Sequence, residues 1–142
     1  MIHFRNDYST GAHPAVWEAL AQVNDIRSPG YGCDPCCEVA ADTIRSLCAA
    51  PQAAVHFLVG GTQVNATAIA AFLRPYEAVI AAESGHVCVH EAGAIEHGGH
   101  KVIACPTPDG KLTPALLEAG CAAHSTGHMV APRLVFISNT TG

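Results

Sequence analysis

Gly60-Gly61-Thr62-Gln63 stands between an apolar run and a helical pattern. Glycine lets the backbone approach an anion closely, and a helix N-terminus offers unpaired N–H groups at the positive end of its dipole. Thr62 adds a hydroxyl. No lysine follows the glycines as it would in a P-loop, and the spacing is not G-x-G-x-x-G. The pattern therefore suits a single phosphate monoester better than a nucleotide. An ordinary strand–helix turn with Thr62 as its cap explains the same residues equally well.

His86, His90 and His97 recur at +4 and +7, one face of a continuous helix, with Glu91 alongside. A zinc-binding module using His86 and His90 is one alternative, although the second His of H-E-x-x-H is missing and Gly98-Gly99 ends the segment. His86 differs from the other two because it opens the segment at a strand's carboxyl end, where a flat ring suits a flat cofactor. Glu91 in an apolar helix needs a partner if buried, which makes it a site residue or an anchor of the turn before it. Cys33, Cys36 and Cys37 form a C-x-x-C-C cluster with no second ligand pair and no strand before it, so they read as free thiols. Cys48, Cys88, Cys105 and Cys121 fall in apolar segments, where a thiol behaves as a small hydrophobe.

Elements must hold these residues in place. Pro14 to Asn24 carries Val16, Trp17, Leu20 and Val23 at helical spacing. Pro29-Gly30-Tyr31-Gly32 reads as a loop, and Asp34 as the cap of a helix from Pro35 to about Ala50. Val55–Val59 then reads as a buried strand, and strands alternate with helices from there on. The spacing predicts a helix from Thr62 to about Leu73, a strand over 78–82 and a helix within His86–Glu96. A strand over 101–104, a helix from Thr113 to about His124 and a strand over 134–138 follow. This is α/β architecture with a mostly parallel sheet flanked by helices. An N-terminal arm and helical segment, about 1–53, precedes an α/β part, about 54–142. In such a sheet, ligands sit beyond the carboxyl ends of the strands: Gly60-Gly61-Thr62, Glu83-Ser84-Gly85-His86, Cys105-Pro106 and Ser138-Asn139.

Composition narrows the function. The 142 residues are 49% hydrophobic and 13% charged, enough apolar content to exclude disorder as the main state. Net charge is −5 and the seven Lys and Arg are scattered, which argues against a nucleic-acid partner. No apolar stretch reaches the ~18 residues of a membrane span. The N-terminal residues lack a basic n-region and an apolar core, and the cysteine count of seven is odd; a cytoplasmic location is expected.

Several stretches, in order, carry a wider likeness. They are Arg5-Asn6-Asp7, Pro29-Gly30-Tyr31-Gly32, the run Phe57 to Asn65, and Gly85-His86-Val87-Cys88-Val89-His90-Glu91-Ala92-Gly93-Ala94. Lys101-Val102, Asp109-Gly110-Lys111-Leu112-Thr113 and Leu134 to Asn139 complete the set. Together they resemble the low-specificity threonine aldolases of the aromatic amino acid β-eliminating lyase/threonine aldolase family. The resemblance implies a pyridoxal-phosphate-dependent transferase-like fold, the aspartate aminotransferase fold type I, of which residues 1–142 match the N-terminal part of the catalytic domain. It implies that Gly61 and Thr62 hold the phosphate of pyridoxal 5'-phosphate, that His86 stacks on its ring, and that Asn139 lies in the cofactor region. Asp7 and Ser9 would lie near the substrate, and Tyr31 would help build the site at a subunit interface. Asn139-Thr140-Thr141-Gly142 departs from the family's Asn-Pro-Thr-Glu.

The activity implied is cleavage of the Cα–Cβ bond of a β-hydroxy-α-amino acid, giving glycine and acetaldehyde from threonine, in a homo-oligomeric enzyme (dimer or tetramer). Such chemistry needs a Schiff-base lysine and an acidic partner for the pyridinium nitrogen. Only Lys101 and Lys111 are present, one opening a strand at the wrong end and one in an Asp-Gly turn. The chain is therefore expected to be a fragment, inactive alone. A non-catalytic remnant or assembly module of the same fold is the alternative.

Overall fold

The computed structural model describes Asn6 and residues 8–139, which divide between Phe57 and Leu58 into two compact units. Asp7, expected on the substrate side, lies outside the described residues.

The first unit contains two helices, α1 (Pro14–Val23) and α2 (Pro35–Leu47), each with proline in its first turn. Proline there costs nothing, because the first amides of a helix lack intrahelical acceptors. His13 Nδ1 accepts the Ala15 N–H at 3.2 Å, and Asp34 Oδ1 accepts the Cys37 N–H at 2.9 Å. A bond from the Cys37 thiol, then the one from its N–H, holds the Asp34 carboxyl below its ordinary value and pushes the thiol up. The second helix stops at Leu47, short of the expected Ala50. Ala49 turns left-handed (φ 50°), and Ala49 and Ala50 donate back to Ser46 and Arg45, satisfying the last carbonyls.

In the second unit a parallel three-stranded sheet has the order β2-β1-β3, with β1 (Glu77–Ala82) between β2 (Val102–Cys105) and β3 (Ala131–Val135). Side chains alternate across a strand, and β1 buries both faces. Val79 and Ala81 pack with Ile69 of α3 (Gly61–Phe72) and Leu73 just after it, Val87 of α4 (His86–Val89) and Ile95 of α5 (Ala94–His97). Ala78 and Ile80 pack with Ile103 and Cys105, against Leu117 of α6 (Pro114–Ala122). Helices thus cover both faces. Thr113 caps the last of them, its Oγ1 accepting the Leu116 N–H at 3.3 Å.

Three expectations from the sequence change. Val55–Val59 is not a strand: among the described residues no strand pairs with it, and without a ladder its amides go elsewhere. The Val59 N–H donates to Gln63 Oε1 at 2.7 Å, ahead of the third helix. The expected helix within His86–Glu96 is two short helices, because Ala92 (φ 50°) and Gly93 (φ 73°) are left-handed and break the ladder. The strand expected over 134–138 is paired over 131–135, with one more bond from Phe136 N–H to Ile80 O at 2.8 Å. A bulge between Ala78 and Val79 lets this strand carry Pro132, which has no N–H to give.

Candidate active site

The three strands run parallel, so their carboxyl ends share one edge of the sheet. After β1 the chain turns sharply: the Gly85 N–H donates to Ala82 O at 2.8 Å, and His86 then opens α4. A cavity of about 520 Å³ lies at this edge, lined by Ala82, Gly85, Lys111, Phe136, Ser138 and Asn139. Gly85 and Asn139, far apart in sequence, both line it.

His86 is fixed from below. Its Nδ1 lies 2.8 Å from Glu91 Oε1, and the same oxygen accepts the Asn65 Nδ2–H at 2.6 Å. The Glu91 side chain is fully buried whereas that of His86 is 46% exposed, so one end of the pair is sealed and the other open. Glu91 Oε2 is buried without a hydrogen-bond partner. On an unbroken helix, positions five apart do not face each other. The helix ends at Val89, and the non-helical His90 (φ −126°, ψ 9°) lets Glu91 come back to His86.

At the start of α3, Gly60 is the N-cap with φ 76° and ψ 153°, a conformation open essentially to glycine alone. No side chain caps this helix, so Thr62 is a first-turn residue and not the cap that the sequence allowed. The first amides, on Gly61, Thr62 and Gln63, have no intrahelical acceptor. A Cβ built on Gly60 or Gly61 meets nothing within 4 Å among the described residues.

Sequence reasoning missed several residues at this edge. Asn65 gave no signal beyond its place one turn after Thr62. Ser84 Oγ and Thr107 Oγ1, just past β1 and β2, are buried without partners, and the Thr107 N–H donates to Glu83 Oε1 at 3.2 Å. Lys111, expected as plain surface, lines the cavity while its Nζ stays 3.4 Å from Asp109 Oδ2. The Lys111 N–H is the main cause that holds the Asp109 carboxyl below its ordinary value. Lys101 immediately precedes β2 and so stands at the opposite edge.

His86 and His90 come close, ring centroids 5.4 Å apart and tilted by 56°. Among the described residues, however, no three His, Cys, Asp or Glu side chains converge to hold a metal ion. Ser9 and Tyr31 belong to the first unit and are exposed. Tyr31 holds a left-handed backbone (φ 63°).

The model of the beta-eliminating lyase family matches residues 3–142. The chain belongs to that family. Within it, the chain is 34% identical over 140 residues to a low specificity L-threonine aldolase of Pseudomonas aeruginosa and 32% identical to one from a Pseudomonas species. Each alignment covers 97% of this chain and 40% of the relative. A solved threonine aldolase of Leishmania major superposes with a TM-score of 0.93 at 50% identity, over 96% of this chain and 40% of that one. This beta-eliminating lyase chain therefore has the pyridoxal-phosphate-dependent fold type I architecture over the matched part. It spans about two fifths of the length of the relatives it matches. Among the described residues, no helix is long and apolar enough to cross a membrane.

Proposed function

We propose that the protein bearing this chain is a pyridoxal-phosphate-dependent lyase of the threonine aldolase type. It would cleave the Cα–Cβ bond of β-hydroxy-α-amino acids, threonine going to glycine and acetaldehyde. The observation that carries this reading is His86, a half-exposed ring at the carboxyl edge of the sheet, held on a buried carboxylate.

The residues present fit the cofactor. The uncapped start of α3 suits a phosphate: the Gly61 and Thr62 amides and the Thr62 hydroxyl would hold it, with Gly60 supplying the backbone turn before them. His86 would give the flat ring a flat neighbour, and Asn139, on the cavity wall, would offer an amide. When bound, the cofactor supplies an electron sink for the pair left at Cα as the Cα–Cβ bond breaks. Asp7, Ser9 and Tyr31 are assigned to the substrate side on the strength of the family likeness.

Neither lysine of the chain is given the Schiff-base role. Lys101 stands at the amino end of its strand, and Lys111 is paired with Asp109. Residues 1–142 are read as the N-terminal part of the cofactor-binding domain, with an N-terminal arm to about residue 53, in a cytoplasmic homo-oligomer.

The test is made on full-length protein incubated with pyridoxal phosphate. The expected result is a visible absorbance band that survives gel filtration, together with acetaldehyde released from threonine in a coupled reductase assay. No retained band and no acetaldehyde from any β-hydroxy-α-amino acid would overturn the reading.

A further inference from the structure

We propose that Glu91 is a positioning residue which, with Asn65, sets the plane of the His86 ring and ties that ring to the helix whose first turn faces the phosphate. The inference rests on the reading of this edge as a pyridoxal phosphate site, and it adds two residues to that site which touch no cofactor.

Three observations converge. First, one oxygen of a fully buried carboxyl group lies within hydrogen-bond distance of both partners, 2.6 Å from Asn65 Nδ2 and 2.8 Å from His86 Nδ1. An amide NH2 can only donate, and an ionised carboxylate can only accept. The arrangement therefore assigns the imidazole proton to Nδ1 and leaves Nε2 as the other ring nitrogen, the tautomer being inferred from its partners. Second, burying a carboxylate is costly unless it is hydrogen-bonded. Glu91 meets that cost at Oε1 alone, with side chains from two elements, α3 and α4, while Oε2 stays buried without a partner. Third, the chain adopts a left-handed Ala92 immediately after Glu91, a conformation that costs an L-residue of order 1–3 kcal/mol. Glu91 stands between this residue and His90, where α4 ends (φ −126°, ψ 9°), so the chain is off the helical path on both sides of it.

Asn65 stands one turn beyond Thr62 on α3. The path Thr62–Asn65–Glu91–His86 thus joins the residues assigned to the phosphate with the residue assigned to the ring. A cofactor gripped at both ends needs a fixed distance between the grips, and this bridge supplies one that does not depend on the cofactor being present. Positioning of this kind depends on supporting hydrogen bonds as much as on the residues they support.

The experiment uses full-length protein with 15N-labelled histidine, free of cofactor and then with pyridoxal phosphate added. The wild type is expected to show a slowly exchanging His86 Nδ1 proton before any cofactor is added. Glu91→Ala should lose that signal, weaken pyridoxal phosphate binding at least tenfold and flatten the induced circular dichroism of its band. Glu91→Gln keeps an acceptor oxygen and should restore the proton signal in part. Asn65→Ala, a milder change that keeps the carboxylate, should broaden the signal without abolishing it, and it serves if Glu91→Ala does not fold. Retention of the Nδ1 proton and of full cofactor dichroism in both Glu91→Ala and Asn65→Ala would overturn the role of Glu91. A wild type that shows the Nδ1 proton but binds no pyridoxal phosphate would instead overturn the function assigned to the site.

Discussion

Gly85 donates its N–H to the Ala82 carbonyl at 2.8 Å, and a Cβ added to Gly85 would stand 2.9 Å from that same oxygen. The turn that delivers His86 to the carboxyl edge is thus closed around a missing side chain. Gly85→Ala must push the turn away from β1 or break the bond, and crowding of this kind costs ~1–3 kcal/mol. We expect a lower melting temperature together with weakened pyridoxal phosphate binding. Ala82→Gly, which leaves the turn room to close, should not weaken binding to the same degree.

Lys111 faces the cavity but is held by Asp109, with Nζ to Oδ2 at 3.4 Å. If it carried the cofactor, Lys111→Ala would abolish the band retained through gel filtration. We expect Lys111→Ala to keep that band, with reduction by borohydride followed by peptide mapping placing the label on a different lysine. A label on Lys111 in the wild type would overturn the assignment.

Thiol reactivity should follow burial and hydrogen bonding. Burial pushes the Cys88 and Cys105 thiols up, and the bond to Asp34 does the same to Cys37. Only the thiolate attacks an alkylating agent. At pH 8, iodoacetamide should label the exposed Cys33, Cys36, Cys48 and Cys121 first, then Cys37, with Cys88 and Cys105 last. Asp34→Ala removes the acceptor and should move Cys37 into the fast group, read by mass spectrometry of peptides over time.

Asp34 also sets an acid limit on α2. Its carboxyl is held below 3.8 in the folded chain, chiefly by the Cys37 thiol and N–H. A carboxyl whose folded value lies below the unfolded one stabilises the fold above the unfolded value, and that contribution disappears as pH falls through the folded value. Melting temperature should therefore drop below pH 3.8 more steeply in the wild type than in Asp34→Asn. Parallel acid limbs for the two proteins would contradict this.

Strands β1 and β2 and the helices were legible because each carried a local signal. Asp34, Pro35, Thr113 and Pro114 mark helix starts by chemistry that acts within one turn. Val79, Ile80 and Ile103 mark buried strands by composition alone. Val55–Val59 failed because an apolar run becomes a strand only beside a partner, and a partner is not written in the run itself. The break at Ala92-Gly93 was hidden by three histidines whose spacing suits a continuous helix. The exit from the helix at His90 has no sequence signature, so the inward turn of Glu91 had to be seen. Of the residues proposed for the cofactor, Gly61 and Thr62 stood out by residue type at a helix start and His86 just past a strand. Asn65 did not, because an asparagine inside a helix is ordinary until its partner is known.

The place of β1 at the centre of its sheet fixes an order of assembly. One flank is completed by β2, Val79 opposite Val102, but the other waits for β3, with Glu77 opposite Ala131. Closing the longer loop is the entropically harder step, and until it closes β1 presents a row of unpaired backbone groups. The cavity that Gly85 and Asn139 both line does not exist before then. A ribosome-bound chain halted short of residue 131 would hold the turn that carries His86 yet have no cavity beside it, and would be open to pairing with any passing strand.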